Sequence, residues 1–396
     1  MNAYHLITFV AIGFIIYAID KRKEYFPVPI ILLTLGIALS FIPFYAEAEL
    51  TKKIIFEWFL PAILFVSAYQ FPLKDFKKYF GVFTALATVG MLLTAFLLAG
   101  AMAATIGIAL SIGFIGTLLI ASILTPTDPV SVVNILKKST DKAQLADIVE
   151  GESMFNDGTS VVLFTVVAGI YTNEQNFAIL TFFKEFALVA FGGLAIGLVI
   201  GYTVSKIIHV THHEEYQVMV SVVMAYGAFL VAEHFGVSGV LATVAAGLLF
   251  SYEIQDLENE EKYRNYLDGF WEVVNPVLLS ILFIVMGIEA MDLLKWNHLW
   301  AIGVLFLLTL VVRFLVLYGV FQAIPKWRHE FSLKNINLMT WAGIKGTMSI
   351  ALLLGFKDQY SGEAELIFSL TIGVIILSLV VQSLIIYPLT KWQQHH

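Results

Sequence analysis

Cysteine is absent from this 396-residue chain, which excludes disulfides and thiolate metal sites and leaves the redox compartment open. Charge is scarce too: Asp, Glu, Lys and Arg make up 13% of the residues, where a soluble chain carries about 25%. That scarcity excludes a soluble globular protein. The first apolar run follows Met1-Asn2-Ala3-Tyr4-His5 with no basic n-region, so it reads as a retained helix rather than a cleaved signal. No separate soluble domain, resident cofactor or nucleic-acid partner is expected. What the chain does have is apolar residues, 59% of the total, and a mean hydropathy of +0.84. These describe an all-α polytopic membrane protein embedded in a lipid bilayer.

Apolar runs of about 20 residues each span a bilayer as a helix. Thirteen are drawn here: 3–19, 27–44, 54–71, 79–103, 108–136, 146–171, 177–208, 216–234, 238–252, 266–290, 296–323, 335–355 and 363–391. The ninth is short, and the seventh is long enough to begin as an interfacial stretch around Lys184-Glu185. Basic residues then orient the chain. Loops on one side, with the C-terminal end, hold sixteen Lys and Arg residues (among them Lys21, Lys74, Lys137, Lys206, Arg264 and Arg328). The other side holds four: Lys52, Lys53, Lys295 and Lys357. Positive residues stay inside, so the N-terminus is expected outside and the C-terminus in the cytoplasm. The acid-rich stretch from Tyr252 to Asp268 is expected to be a solvated connector. His209, His212 and His213, next to Glu214 and Glu215, are expected to lie in a hydrated loop, with a pH sensor as the sharper alternative.

Two short segments carry the chemistry. Thr125-Pro126-Thr127-Asp128-Pro129 interrupts span five, and Glu152-Ser153-Met154-Phe155-Asn156-Asp157 lies in span six. A carboxylate at bilayer depth costs roughly 2.5–3.5 kcal/mol on insertion scales, so its default reading is an ion or proton pathway. Pro126 and Pro129 have no N–H, so the carbonyls of Ser122 and Thr125 lose their helical donors and become candidate ligands for a small hard cation. On a helix, Ser153 and Asp157 stand about 40° apart on one face. Glu152 and Asn156 share the neighbouring face. Glu152 therefore needs a countercharge elsewhere, and Arg313 in span eleven is the candidate. Asp157 close to Asp128 in a low-dielectric cleft makes a bare charge unfavourable, so H⁺ and Na⁺ compete for one carboxylate. In span twelve Gly343 and Gly346 flank Lys345, which suggests a second broken helix opposite the first. Paired interruptions of this kind point to an inverted-repeat transporter, with Lys345 offsetting half-helix ends and acids.

At these residues the chain resembles the NhaP/NHE-type monovalent cation:proton antiporters. The matching motifs are TPTDP (125–129), GESMFNDG (151–158) and WAGIKGTMSIAL (341–352), with LPAILF (60–65) and Arg313 in support. The resemblance implies an NhaA-like inverted-repeat fold with two crossed, unwound helices, in a homodimer of thirteen-helix protomers. A core transport part (about 79–171 and 296–391) would move against a dimerisation part (about 1–71 and 177–290). It implies Na⁺ held by Thr127, Asp128, Ser153 and Asp157, with Glu152 paired to Arg313. The Asn156-Asp157 pair resembles the electroneutral branch, exchanging one Na⁺ (or Li⁺) for one H⁺ in a prokaryotic cell membrane. Two departures stand out: Lys345 replaces the usual arginine, and Val66 stands where many relatives have an acid. No regulation by a long cytoplasmic tail is expected. K⁺/H⁺ exchange fits the same ligand types. A cation channel, an organic-anion transporter of related fold and an intramembrane aspartyl protease fit less well, the last for want of a GxGD segment.

Overall fold

Backbone amides have no water to bond in hydrocarbon, so the apolar runs coil into helices that satisfy them internally. The computed structural model describes every residue except 22–27, 47, 129–132, 134, 135, 137–142, 173–178, 209–212, 256–259, 361–363 and 396. Among the described residues it is helical throughout, without strands. The main elements are α1 (Ala3–Asp20), α2 (Val28–Ser40), α3 (Lys52–Gln70), α4 (Leu73–Leu110), α5 (Phe114–Leu124), α6 (Ala143–Tyr171) and α7 (Ile179–Ile208). They continue as α8 (Glu214–His234), α9 (Gly239–Gln255), α10 (Glu260–Leu293), α11 (Leu299–Ala323), α12 (Leu333–Ala342), α13 (Thr347–Gln359) and α14 (Glu365–His395). Ten helical stretches among the described residues are long and apolar enough to cross a membrane, with α12 and α13 together forming one of them. The apolar helices α2, α5 and α9 are shorter, at 13, 11 and 17 residues.

Several boundaries differ from the sequence reading. Residues 108–110, drawn as the start of span five, instead complete α4. Ser111 ends that helix in the left-handed conformation at φ 57°, and α5 starts afresh at Phe114. Of the stretch expected as a solvated connector, residues 256–259 lie outside the described residues; to either side helix α9 runs through Gln255 and α10 begins at Glu260, with exposed residues such as Glu261 and Lys262 beside charges that find partners. Lys206 meets the buried Glu253 at 3.2 Å, and Arg264 holds Glu260 at 2.7 Å and the Ser251 carbonyl at 3.3 Å. Helix α7 is continuous through Lys184-Glu185. His209, His212 and Pro129 lie outside the described residues, and His213 is exposed.

Close packing here depends on small residues, as is usual between helices in lipid. Gly193, Gly197 and Gly201 of α7 face Ser238, Ala242 and Ala246 around α9, and a Cβ on Gly197 would stand 2.7 Å from the Ala242 Cα. At one end of the bundle, Lys357 on α13 bridges Glu289 of α10 (3.0 Å) and Glu49 (3.6 Å). Beside it Asp358 accepts from the Lys52 amide at 3.0 Å. We expect Gly197→Val to overpack the α7–α9 contact and lower stability by about 1–3 kcal/mol, measured by unfolding in mixed detergent micelles.

Candidate functional site

The site is built where two interrupted helices meet. Helix α5 stops at Leu124, and the next three carbonyls each accept a side-chain donor from another element. Asn156 Nδ2 of α6 donates to the Thr125 carbonyl at 3.2 Å, Lys345 Nζ to that of Pro126 at 3.4 Å, and Ser153 Oγ to that of Thr127. The expectation of a Thr125 carbonyl freed for a cation is therefore corrected: the Asn156 amide bonds to it. The Asp128 amide donates to the Ile344 carbonyl at 2.8 Å, which ties one break directly to the other.

The second break, residues 343–346 between α12 and α13, is satisfied in the same way. The Lys345 amide donates to Ser378 Oγ on α14 at 2.9 Å, and Ser378 in turn bonds Gln382. Gln382 Nε2 returns to the Trp341 carbonyl at 3.0 Å. Helix α13 has no cap of its own, since Gly346 has no side chain to provide one. Asp128 fills that place: its Oδ2 accepts from the Thr347 amide at 2.9 Å and the Thr347 hydroxyl at 2.6 Å. A carboxylate at a helix N-terminus is stabilised both by the free N–H groups and by the helix dipole. Both glycines of the break are required by close approach. A Cβ on Gly346 would lie 2.5 Å from the Asp128 Cβ, and one on Gly343 would lie 2.7 Å from the Arg313 Cδ.

The first break thus bonds to α6 through Thr127–Ser153 and Thr125–Asn156, and to the second break through Asp128. Thr127 Oγ1 also donates to Ser153 Oγ at 3.4 Å, and Asn156 Oδ1 accepts from Ser160 at 2.9 Å. Asp157 sits one residue beyond Asn156 with its Oδ1 buried and without a hydrogen-bond partner. The charges that act on it are Asp128, Glu152 and Lys345. An unsatisfied buried carboxylate oxygen is costly.

Glu152 turns away from this group. Its two oxygens take Arg313 Nη1 at 3.1 Å and Nη2 at 2.8 Å, and Arg313 Nε reaches the Met339 carbonyl at 3.3 Å. Both side chains are almost fully buried. The cavity beside them holds about 10 Å³ and is lined by Thr94, Thr125 and Asn156 as well as the pair, room for at most one water. Across it, helix α4 widens to a π-turn at Leu86–Gly90. The carbonyl of Ala87 in that turn is capped by Thr159 of α6 at 2.6 Å.

Three residues at the site escaped the sequence reading. Ser378 and Gln382 left a trace, as polar residues four apart inside the apolar α14. Thr347 left none beyond its place next to Gly346. Val66 is buried in an apolar cluster that includes Phe250 and Trp271, so α3 brings no carboxylate from that position.

The model of one protein family, "Sodium/hydrogen exchanger, transmembrane", matches residues 7–392. This chain belongs to the sodium/hydrogen exchanger family. Members are secondary transporters and not enzymes. The exchanger family's relatives include an Na(+)/H(+) antiporter, NhaP, of Pseudomonas aeruginosa, 31% identical over 86% of this chain and 81% of its own length. NhaH of Halobacillus aidingensis, also named an Na(+)/H(+) antiporter, is 30% identical over 99% of both chains. Among solved structures, the sodium proton antiporter MjNhaP1 of Methanocaldococcus jannaschii superposes with a TM-score of 0.76 at 19% identity, over 97% of this chain and 96% of the other. That likeness speaks for the fold.

Removing one partner of a buried ion pair strands the other charge. We expect Arg313→Ala or Glu152→Ala to cost about 3–5 kcal/mol, and the double change Glu152→Leu/Arg313→Leu to cost less than either. Equilibrium unfolding of the purified variants checks the order.

Proposed function

We propose that this exchanger is an electroneutral Na⁺(Li⁺)/H⁺ antiporter in which the two ions compete for Asp157, assisted by Asp128. The observation that carries the reading is the unpartnered, buried Asp157 Oδ1 next to the Thr127–Ser153 and Asp128 group. Thr127, Asp128, Ser153 and Asp157 offer the hard oxygen ligands that Na⁺ takes, and Asn156 braces the first break through the Thr125 carbonyl. One carboxylate that must be either protonated or ion-bound delivers one charge each way, so exchange carries no net charge. Glu152 and Arg313 hold the fold and do not bind the ion, which fits their mutual bidentate geometry. Lys345, with its Nζ on the Pro126 carbonyl just past the end of α5, offsets the C-terminal end of that half-helix.

The ten candidate spans and the three shorter apolar helices among the described residues support a thirteen-crossing protomer; the two interrupted helices favour an NhaA-like inverted repeat, and the bias of Lys and Arg favours a cytoplasmic C-terminus. The relatives named NhaP and NhaH support sodium as the cargo and a prokaryotic cell membrane as the setting. In the proposed homodimer, residues 79–171 and 296–391 move as a core against 1–71 and 177–290. The Lys357 bridges to Glu289 and Glu49 cross that boundary.

Proteoliposomes with an imposed pH gradient and a pH-sensitive dye test the proposal. Na⁺ and Li⁺ are expected to collapse the gradient with the membrane potential clamped at zero, and Asp157→Asn to abolish the response in a folded protein. Collapse by K⁺ alone would contradict the ion assignment, and an active Asp157→Asn would contradict the shared carboxylate.

A further inference from the structure

On the side rich in Lys and Arg, the bases fall into two kinds. Lys206 and Arg264 face the carboxylates of Glu253 and Glu260. Lys74, Lys77 and Lys78 of α4, and Lys326 and Arg328 of the short helix Pro325–Glu330, are exposed, and among the described residues none of these five forms an ion pair. Their two segments hold two acids, Asp75 and Glu330. The segments are far apart in sequence but form one patch. At roughly 100° per residue, Lys74, Lys77, Lys78 and Gly81 share one face of α4. Trp327 packs on that face, where a Cβ on Gly81 would stand 3.7 Å from its Cζ2, and Lys326 and Arg328 flank Trp327 in the chain. Phe321 anchors the connector, its ring 6.3 Å from that of Trp327 and 4.2 Å from that of Phe331. Arg328 Nη2 donates to the Gln322 carbonyl at 2.6 Å, and Lys77 Nζ stands over the Tyr252 ring at 5.1 Å. Exposed apolar residues adjoin the bases in the chain: Phe80, Ile324 and Leu333 are 49%, 37% and 61% exposed. A water-soluble partner would leave these three in water. At a membrane surface they lie among acyl chains while the bases reach headgroup level.

We infer that Lys74, Lys77, Lys78, Lys326 and Arg328 form a docking surface for the anionic headgroup of a membrane phospholipid. Clusters of roughly four to eight Lys and Arg at the cytoplasmic ends of membrane helices attract such lipids, and a phosphodiester accepts from both ammonium and guanidinium groups. A lipid held there ties the start of α4 to the connector that leads into α12, and so towards the second break. Anionic lipid therefore speeds exchange. That effect on rate rests on the antiport reading above, whereas the lipid site does not.

The test compares the wild type with Lys78→Gln/Arg328→Gln and with Lys21→Gln, which removes an exposed base outside the patch. The purified full chain is titrated with phosphatidylglycerol or phosphatidylcholine in detergent, and native mass spectrometry reads the lipid retained by the folded fraction. Na⁺-dependent proton flux is then measured in vesicles of phosphatidylcholine with and without phosphatidylglycerol. The wild type and Lys21→Gln are expected to retain phosphatidylglycerol in preference and to exchange faster in the anionic vesicles. Each patch base removed weakens retention about fivefold, so the double variant loses both preferences. A double variant that keeps the wild-type preference, a Lys21→Gln that loses it equally, or a wild-type flux indifferent to phosphatidylglycerol overturns the inference. Glycerol phosphate added to phosphatidylcholine vesicles is expected to have no effect; stimulation by it would make the ligand a free phosphate and overturn the lipid assignment. A wild type inert to every cation in both vesicles overturns the antiport reading, and lipid retention still decides the site.

Discussion

A backbone amide or carbonyl left unpaired at bilayer depth costs several kcal/mol, and this chain breaks two helices at one place. The rest of the site is arranged around meeting that cost. The carbonyls of Thr125, Pro126 and Thr127 are met by Asn156, Lys345 and Ser153. The amide of Lys345 and the carbonyl of Trp341 are met by Ser378 and Gln382 of α14. The amide of Asp128 and the carbonyl of Ile344 meet each other, and that bond, with those of Lys345 to the Pro126 carbonyl and of Thr347 to Asp128, couples the two interruptions into one unit. Once these groups are satisfied, the residue left over is Asp157, with a buried oxygen and no donor. In the proposed cycle the site's need for an ion is a consequence of how completely its surroundings are bonded.

The buried charges sort by the same logic. Glu152 and Arg313 share a bidentate bond and are both buried, so in the proposed cycle they serve as a fixed pair. Asp128 is capped onto α13 and is shared between elements. Three acids that are nearly adjacent thus sit in different environments: a salt bridge, a helix cap and a buried oxygen with no hydrogen-bond donor. Their residue types are close to identical, and their partners set them apart.

Much of this was legible in the sequence because membrane burial makes polar residues conspicuous. Pro126 marked the first break, Gly343 and Gly346 the second, and the intramembrane acids and Arg313 stood out against apolar surroundings. The partners of the broken backbone were harder to read. Thr347 follows a glycine in an ordinary small-residue run, and only the folded crossing reveals that it faces Asp128. Helix ends were also misjudged, as at Ser111, where a polar serine between two apolar stretches gives no warning of a left-handed turn. Glu253, in the stretch read as solvated, differs from that reading: it is buried against Lys206, a partner 47 residues away that composition does not reveal.

In the proposed exchange Na⁺ and H⁺ compete for Asp157. The most direct measurement is proton release on Na⁺ binding to the purified, full-length protein in weakly buffered detergent solution, with radioactive Na⁺ counting the bound ion in the same samples. Because a carboxylate ligand must lose its proton to hold the cation, the account predicts that a proton is released for each Na⁺ bound, and that Asp157→Asn releases none. Stoichiometric Na⁺ binding by the wild type without proton release, across the pH range in which it exchanges, would contradict it.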